Sequence, residues 1–94
     1  MPKRARRARS ESVVPKAPLA KEVARVLEER QMTQTEASYL IRGTPSEISL
    51  MVNGRTQLFS SERLLRTLVC LGRDVDIVLR KSKGPSGKVR IVSK

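Results

Sequence analysis

The sequence predicts a mainly α domain, four short helices packed compactly, followed by a C-terminal β-strand or hairpin. Three observations predict it. Between residues 18 and 72, successive helix-start signals are each followed by a stop. From Val75 onward, apolar residues alternate at period two instead. The chain of 94 residues also carries 20 Lys and Arg against 9 Asp and Glu, a formal charge of +11. That length suits one small domain, and a small chain this basic most often meets a polyanion.

Composition excludes several classes. With no His and one Cys, zinc fingers, disulfide scaffolds and histidine-based catalysis are out. No apolar run approaches the ~18 residues a membrane span needs. The first residues are basic but lack the apolar stretch of a secretory signal. A lone Cys fits a reducing cytosol.

Residues 1–17 read as a disordered basic arm. The first 18 positions hold Lys3, Arg4, Arg6, Arg7, Arg9 and Lys16 against Glu11, a net of +5, with three prolines and little that can be buried beyond Val13 and Val14. Such a stretch cannot offset its ordering entropy. Basic N-terminal arms commonly bind nucleic acid; the bland alternative is a solubility tail.

Residues 18–73 read as the helical domain. The first helix begins near Pro18, which suits a first turn. Leu19, Val23, Val26 and Leu27 form its apolar stripe, and it ends near Gln31. Thr33-Gln34-Thr35-Glu36 is a capping box, opening a second helix with Ala37, Leu40 and Ile41 inward. Arg42-Gly43 stops it. Thr44-Pro45-Ser46-Glu47 is a second capping box, with proline at the first helical position. Ile48, Met51 and Val52 face inward on this third helix, and Asn53-Gly54 ends it. Phe59-Ser60 with Leu64 is an N-cap with a hydrophobic staple. Leu64, Leu65, Leu68, Val69 and Leu71 supply the fourth helix's stripe, and Gly72 closes it.

Residues 74–94 change period. Val75, Ile77 and Leu79 alternate with charged positions, and Val89 and Ile91 do likewise after a Gly-Pro-Ser-Gly loop. The simplest reading is an antiparallel hairpin, marginal by itself. Its apolar face needs a partner, either the helices or the same strand of a second chain. An open strand edge favours the second, so Val75, Ile77 and Leu79 are the expected dimerisation residues of a homodimer.

Two short helices across a tight turn, the second opening with Thr-Pro-Ser-Glu, have the spacing of a helix-turn-helix. Thr33-Gln34, Ala37-Ser38, Ile48-Ser49 and Asn53-Gly54 resemble the Xre/Cro-type helix-turn-helix family, whose domain is lambda-repressor-like. Phe59-Ser60, Leu64-Leu65, Leu71-Gly72 and Asp74-Val75-Asp76-Ile77-Val78 resemble a narrower subgroup of HigA-like antitoxins and related regulators. The resemblance covers roughly residues 19–80. Three positions depart from it. The family commonly has Ala at Ser38, Gly at Arg42 and an apolar residue at Gly43, so either Arg42 accepts the helix-end geometry or Gly43 takes that role.

The resemblance implies that the third helix enters the major groove of double-stranded DNA. Its base-reading face is then Thr44, Pro45, Ser46, Glu47 and Leu50. Ser46 can bond several bases, Glu47 can accept from cytosine N4, and Pro45 or Leu50 can touch a thymine methyl. Glu47 has an equal claim as the capping-box carboxylate. Phosphate-binding positions are Gln34, Asn53, Arg55, Gln57 and Ser60. Arg4, Arg6, Arg7 and Arg9 in the arm are placed to reach an adjacent minor groove.

No catalytic residue emerges: no His activates a Ser or Thr, and no Lys lies in an apolar stretch. Asp74 and Asp76 read as solvent-facing charges, Cys70 as core, and Tyr39 as half-buried. No cofactor or metal is expected. The function expected is a sequence-specific transcriptional regulator, a repressor bound to a palindromic operator. It reads most closely as the antitoxin and autorepressor of a HigBA-like toxin–antitoxin operon. The resemblance implies a RelE-like toxin as a further partner, and the expected location is the cytoplasm, on the nucleoid. The alternatives are a nucleic-acid- or ribosome-associated protein that uses the arm and the basic hairpin residues Arg80, Lys81, Lys83, Lys88 and Arg90 without reading sequence, and a stand-alone phage-type repressor.

Overall fold

The computed structural model describes residues 13–93. Among them are four α-helices: α1 (Lys16–Glu29), α2 (Gln34–Ile41), α3 (Pro45–Val52) and α4 (Ser61–Cys70), with a 3₁₀ turn at Thr56–Leu58 ahead of α4. Helix α1 starts two residues before Pro18. Pro18 falls at the third helical position, where an amide hydrogen has no intrahelical acceptor to lose. The helix stops at Glu29 because Gln31 adopts a left-handed φ of 51° and the Met32 amide donates back to Leu27 O at 2.8 Å. Both capping boxes form. Thr33 Oγ1 accepts from the Glu36 amide and Glu36 Oε1 from the Thr33 amide; Thr44 and Glu47 repeat the exchange on α3.

One core joins all four helices. Leu19, Val23, Val26 and Leu27 of α1 meet Ala37 of α2, Ile48 and Met51 of α3, Phe59, and Leu64, Leu68 and Leu71 at α4. Ile48, Met51, Leu64 and Leu71 are fully buried, and truncating a side chain such as Leu64 to Ala costs ~2–5 kcal/mol, a large share of a small domain's stability. Four expected core or half-buried positions differ. Leu40, Tyr39, Val69 and Cys70 are exposed. On α4 the inward row is Leu64, Thr67, Leu68 and Leu71, the i, i+3, i+4, i+7 set, which leaves 69 and 70 outside. Thr67 tolerates burial because its hydroxyl donates to Arg63 O at 2.9 Å. On α2 the inward pair is Ala37 and Ser38, and Ser38 Oγ donates to Thr35 O at 2.7 Å. Small side chains there let α2 approach closely and turn Leu40 to the flank.

Polar contacts lock α1 to the end of α4. Arg30 Nη1 donates to Leu71 O at 2.7 Å, satisfying a C-terminal carbonyl of α4. The guanidinium crosses Gly72, where a Cβ would stand 2.6 Å from it, and Gly72 has a φ of +102°. The backbone conformation favours glycine at position 72, and a larger residue would also have to displace the Arg30 guanidinium from Leu71 O. Arg73 then donates from Nε to Glu22 at 2.9 Å and from Nη2 to Glu29 at 2.7 Å. Burial pushes the Glu22 carboxyl up, but hydrogen bonds from Arg73 and Ser93 and the charges of Arg25 and Arg73 outweigh it and hold the group below its ordinary value.

The C-terminal strand or hairpin is not formed: among the described residues no strand is present, and 73–93 follow an extended, irregular path. The chain does reverse, at a turn where Ser82 Oγ accepts from the Gly84 amide and donates to Ser86 O. No backbone hydrogen bond joins the two limbs among the described residues. A two-stranded ladder without a third layer is marginal. Ile91 instead packs on the helical core, and Arg25 Nη1 donates to Ser93 Oγ at 3.0 Å. Ile77 and Leu79 are left 81% and 91% exposed.

Arg42, not Gly43, takes the left-handed conformation that ends α2, with a φ of 56°. A side chain there costs ~1–2 kcal/mol in backbone energy, partly offset by the lower entropy of its unfolded chain. Arg42→Gly is therefore expected to stabilise the domain by roughly 0.5–1 kcal/mol, a few degrees of melting temperature. Thermal denaturation beside the parent checks this; a lower melting temperature contradicts it.

Candidate nucleic-acid interface

The α2–turn–α3 pair is built around Glu47. Its Oε1 accepts from the Thr44 amide at 3.0 Å, starting α3, and its Oε2 pairs with Arg63 Nη2 of α4 at 3.1 Å. Arg63 in turn lies 5.7 Å from the centre of the Phe59 ring. Residues 47 and 63 both sit in the first turn of their helices, so this ion pair places the N-termini of α3 and α4 side by side. A Cβ at position 43 would collide with the Glu47 carboxylate. Gly43 supplies that clearance.

Thr44, Pro45 and Ser46 are exposed at this end. Ser46 is open to a partner. Glu47 is engaged by the Thr44 amide and Arg63 on its two oxygens. Leu50 is half-buried and packs on the core. Of the five positions read as base-facing, Pro45 and Ser46 thus present open side chains, Thr44 and Glu47 form the cap, and Leu50 is largely committed to packing. The hydrogen bond from the Thr44 backbone and then the pair with Arg63 hold the Glu47 carboxyl below its usual value, against a smaller opposing effect of burial. The ionised carboxylate is balanced by Arg63, so the end of α3 does not repel a phosphate backbone.

The positions read as phosphate-binding divide into groups. Gln57, exposed in the 3₁₀ turn, and Ser60, the N-cap of α4, belong to the paired helix starts. Ser60 Oγ already accepts from the Arg63 amide at 3.0 Å. Asn53 and Arg55 lie at the far end of α3, ~12 Å away by helix rise. Asn53 Nδ2 donates to Ser49 O at 2.8 Å, so its amide caps its own helix. Arg55 is exposed and is in no ion pair among the described residues. Gln34 is exposed at the first position of α2. Arg4, Arg6, Arg7 and Arg9 lie outside the described residues.

Sequence reasoning passed over one cation. Arg42 is exposed in the turn just ahead of Thr44, where it adds positive charge beside the open end of α3. The signal was its place between two capping boxes, since the residue linking them has to stand at the mouth of the second. Among the described residues no group of three or more His, Cys, Asp or Glu is placed to hold a metal ion, and no helix is long and apolar enough to cross a membrane.

Below an ordinary carboxyl value of 4.5 the unfolded chain protonates Glu47 while the folded chain still holds it ionised. The stabilisation is therefore complete above that value and is lost as pH falls through the depressed folded value. Glu47→Gln is expected to be less stable than the parent near neutral pH, by roughly 0.5–1 kcal/mol. Urea unfolding at descending pH should show the gap closing below 4.5; a gap that persists in acid contradicts the charge-based account.

The sequence profile of a helix-turn-helix domain family matches residues 6–80. Comparison with curated proteins and with solved structures gives no match.

Proposed function

The chain belongs to this helix-turn-helix domain family, and on that premise we propose that it is a sequence-specific DNA-binding transcriptional regulator, a repressor acting as a homodimer. The observation that carries the reading is the open first turn of α3, braced by the Glu47–Arg63 pair and bordered by Arg42, Gln57 and Ser60. In this reading Thr44, Pro45 and Ser46 touch base edges in the major groove, and Gln34, Arg55, Gln57 and Ser60 meet phosphates. Leu50 contributes at most its exposed edge to a thymine methyl, and Glu47 positions the helix. The arm cations Arg4, Arg6, Arg7 and Arg9 lie along the adjacent minor groove. No catalytic step is assigned, and the place of action is the cytoplasm, on the nucleoid.

Two finer readings are proposed with it. The first is homodimerisation through residues 75–80. Ile77, Val78 and Leu79 expose a continuous apolar run whose backbone is not taken up by a ladder among the described residues, and such an edge suits the same segment of a second chain. A two-fold dimer presents two α3 helices to half-sites roughly 34 Å apart on a palindromic operator. The second is the operon role: antitoxin and autorepressor, with a RelE-like toxin as partner, as the HigA-like resemblance implies. A chain that bound all duplexes alike would instead fit a general nucleic-acid-associated role.

Selection of binding sites from a random duplex pool tests the central reading. The parent is expected to yield one motif, and an unselective pool contradicts the proposal. Ser46→Ala should relax one or two base positions, at a cost on the order of 1 kcal/mol for the lost contact. Gln34→Ala and Arg55→Ala should keep the motif and weaken every site about equally. A changed motif for Gln34→Ala with an unchanged one for Ser46→Ala reverses the assignment.

Sedimentation at micromolar protein tests the dimer. The parent is expected at twice the chain mass and Ile77→Asp at the single mass. A monomeric parent contradicts the proposal, and a dimeric Ile77→Asp moves the interface elsewhere.

A further inference from the structure

Beyond Ile77 the described chain carries no carboxylate side chain. From Ile77 to Ser93 it holds Arg80, Lys81, Lys83, Lys88 and Arg90, a net of +5 without a single Asp or Glu. All five are exposed, and none takes part in an ion pair among the described residues. Elsewhere the fold pairs its arginines readily: Arg25, Arg63, Arg66 and Arg73 each have a carboxylate partner. Arg30, Arg42 and Arg55 also lack a carboxylate partner among the described residues, but they are spread along the helical domain, whereas residues 80–90 gather five such cations.

The segment is also held in place. At its start Arg73 is fixed by Glu22 and Glu29; at its end Ile91 packs on the core and Ser93 accepts from Arg25. Between them the Ser82 hydroxyl ties the reversal together. A loop pinned at both ends keeps its charges near one another without the ordering cost of a free tail. Its end rests on α1 beside Arg25, itself 54% exposed and one turn from the exposed Lys21, so the basic surface continues onto α1. Most of the loop lies past residue 80, where the family match ends, so membership of the family does not account for it.

We propose that this pinned basic loop, Arg80 to Arg90, is a second nucleic-acid contact that grips the phosphate backbone of duplex DNA without reading its sequence. The inference rests on the DNA-binding reading and adds to it a surface separate from α3. Two features select duplex phosphate as the ligand. Three of the five cations are lysines, compact point charges suited to phosphate rather than to base edges. The chain's only aromatic residues, Tyr39 and Phe59, are elsewhere, so the loop has no platform on which unpaired bases could stack.

The test is duplex binding by the full chain across a range of potassium chloride concentrations. The parent is compared with Lys81→Ala/Lys83→Ala/Lys88→Ala/Arg90→Ala on a random duplex, on a duplex carrying the selected motif and on a single-stranded RNA. All four positions are exposed, and a thermal melt matched to the parent confirms the fold. The variant is expected to bind both duplexes more weakly, with the slope of log affinity against log salt shallower by about 0.9 for each phosphate no longer neutralised, roughly 2–4 in all. Its selected motif should be that of the parent. Equal slopes for parent and variant overturn the loop proposal alone. A weakening confined to single-stranded RNA overturns it in favour of that ligand, and an altered motif shows that the loop reads bases. A parent that binds no duplex sinks the DNA-binding reading and the loop together.

Discussion

The Glu47 carboxylate is the constraint on which the candidate interface depends. One oxygen starts α3 by taking the Thr44 amide, and the other holds Arg63 at the start of α4. Because the carboxylate swings back over the turn, a Cβ at position 43 would displace it from the Thr44 amide. The left-handed residue that ends α2 is Arg42, next to it, at a backbone cost glycine would avoid. The α2–α3 turn thus joins a left-handed arginine, a glycine under the Glu47 carboxylate and the Thr44 cap within three residues. The same arrangement explains why an acidic residue can stand at an end proposed to face a polyanion. Its charge is balanced by Arg63, and both its oxygens are engaged.

The opposite end of the domain is governed by α1. Its stripe fills the centre of the core, and Arg30 at its C-terminus caps α4 through Leu71 O. Glu22 and Glu29 on the same helix hold Arg73 as the chain leaves Gly72. These contacts set the direction in which residues 74–93 depart, and Arg25 receives the segment when it returns. Both of these α1 carboxylates are consumed internally, whereas the cations of the tail face solvent. The tail cations from Arg80 to Arg90 therefore stand free of the carboxylates that the helices use among themselves.

Legibility from sequence depended on the range of each interaction. The starts of α2, α3 and α4 were legible because caps are local: Thr33 with Glu36, Thr44 with Glu47, and Ser60 with the Arg63 amide each close within one turn. The Glu47–Arg63 pair was not, since nothing in the residues between them marks the two first turns as neighbours. In eight-residue α2 and ten-residue α4, one or two positions decide the inward row, so Leu40 and Val69 were misplaced while Ala37, Leu64 and Leu68 were not. In the tail, alternation marks which side chains could share a face but not what covers that face. With only the helices at hand, Ile91 found cover and Ile77 and Leu79 did not.

The division of labour in the proposed complex follows from what α3 lacks. A bidentate Arg, Asn or Gln supplies most of the discrimination that a major-groove helix can make, at ~1–3 kcal/mol per base pair. The exposed residues here are Thr44, whose hydroxyl already caps the helix, and Pro45 and Ser46, which offer a hydroxyl or a small apolar contact apiece. Direct readout on that surface is thin, so affinity falls to charge. The chain is arranged for that: Arg42 and Arg55 flank α3, and the tail cations form a separate group. Phosphate contacts hold any sequence equally. A regulator built this way gains selectivity chiefly by requiring two weak readings at once. A two-fold dimer imposes that condition, because both α3 helices must find their half-sites on the same duplex. In the proposed dimer the exposed Ile77–Leu79 run and the modest reading face of α3 would be complementary, pairing through the one compensating for the other.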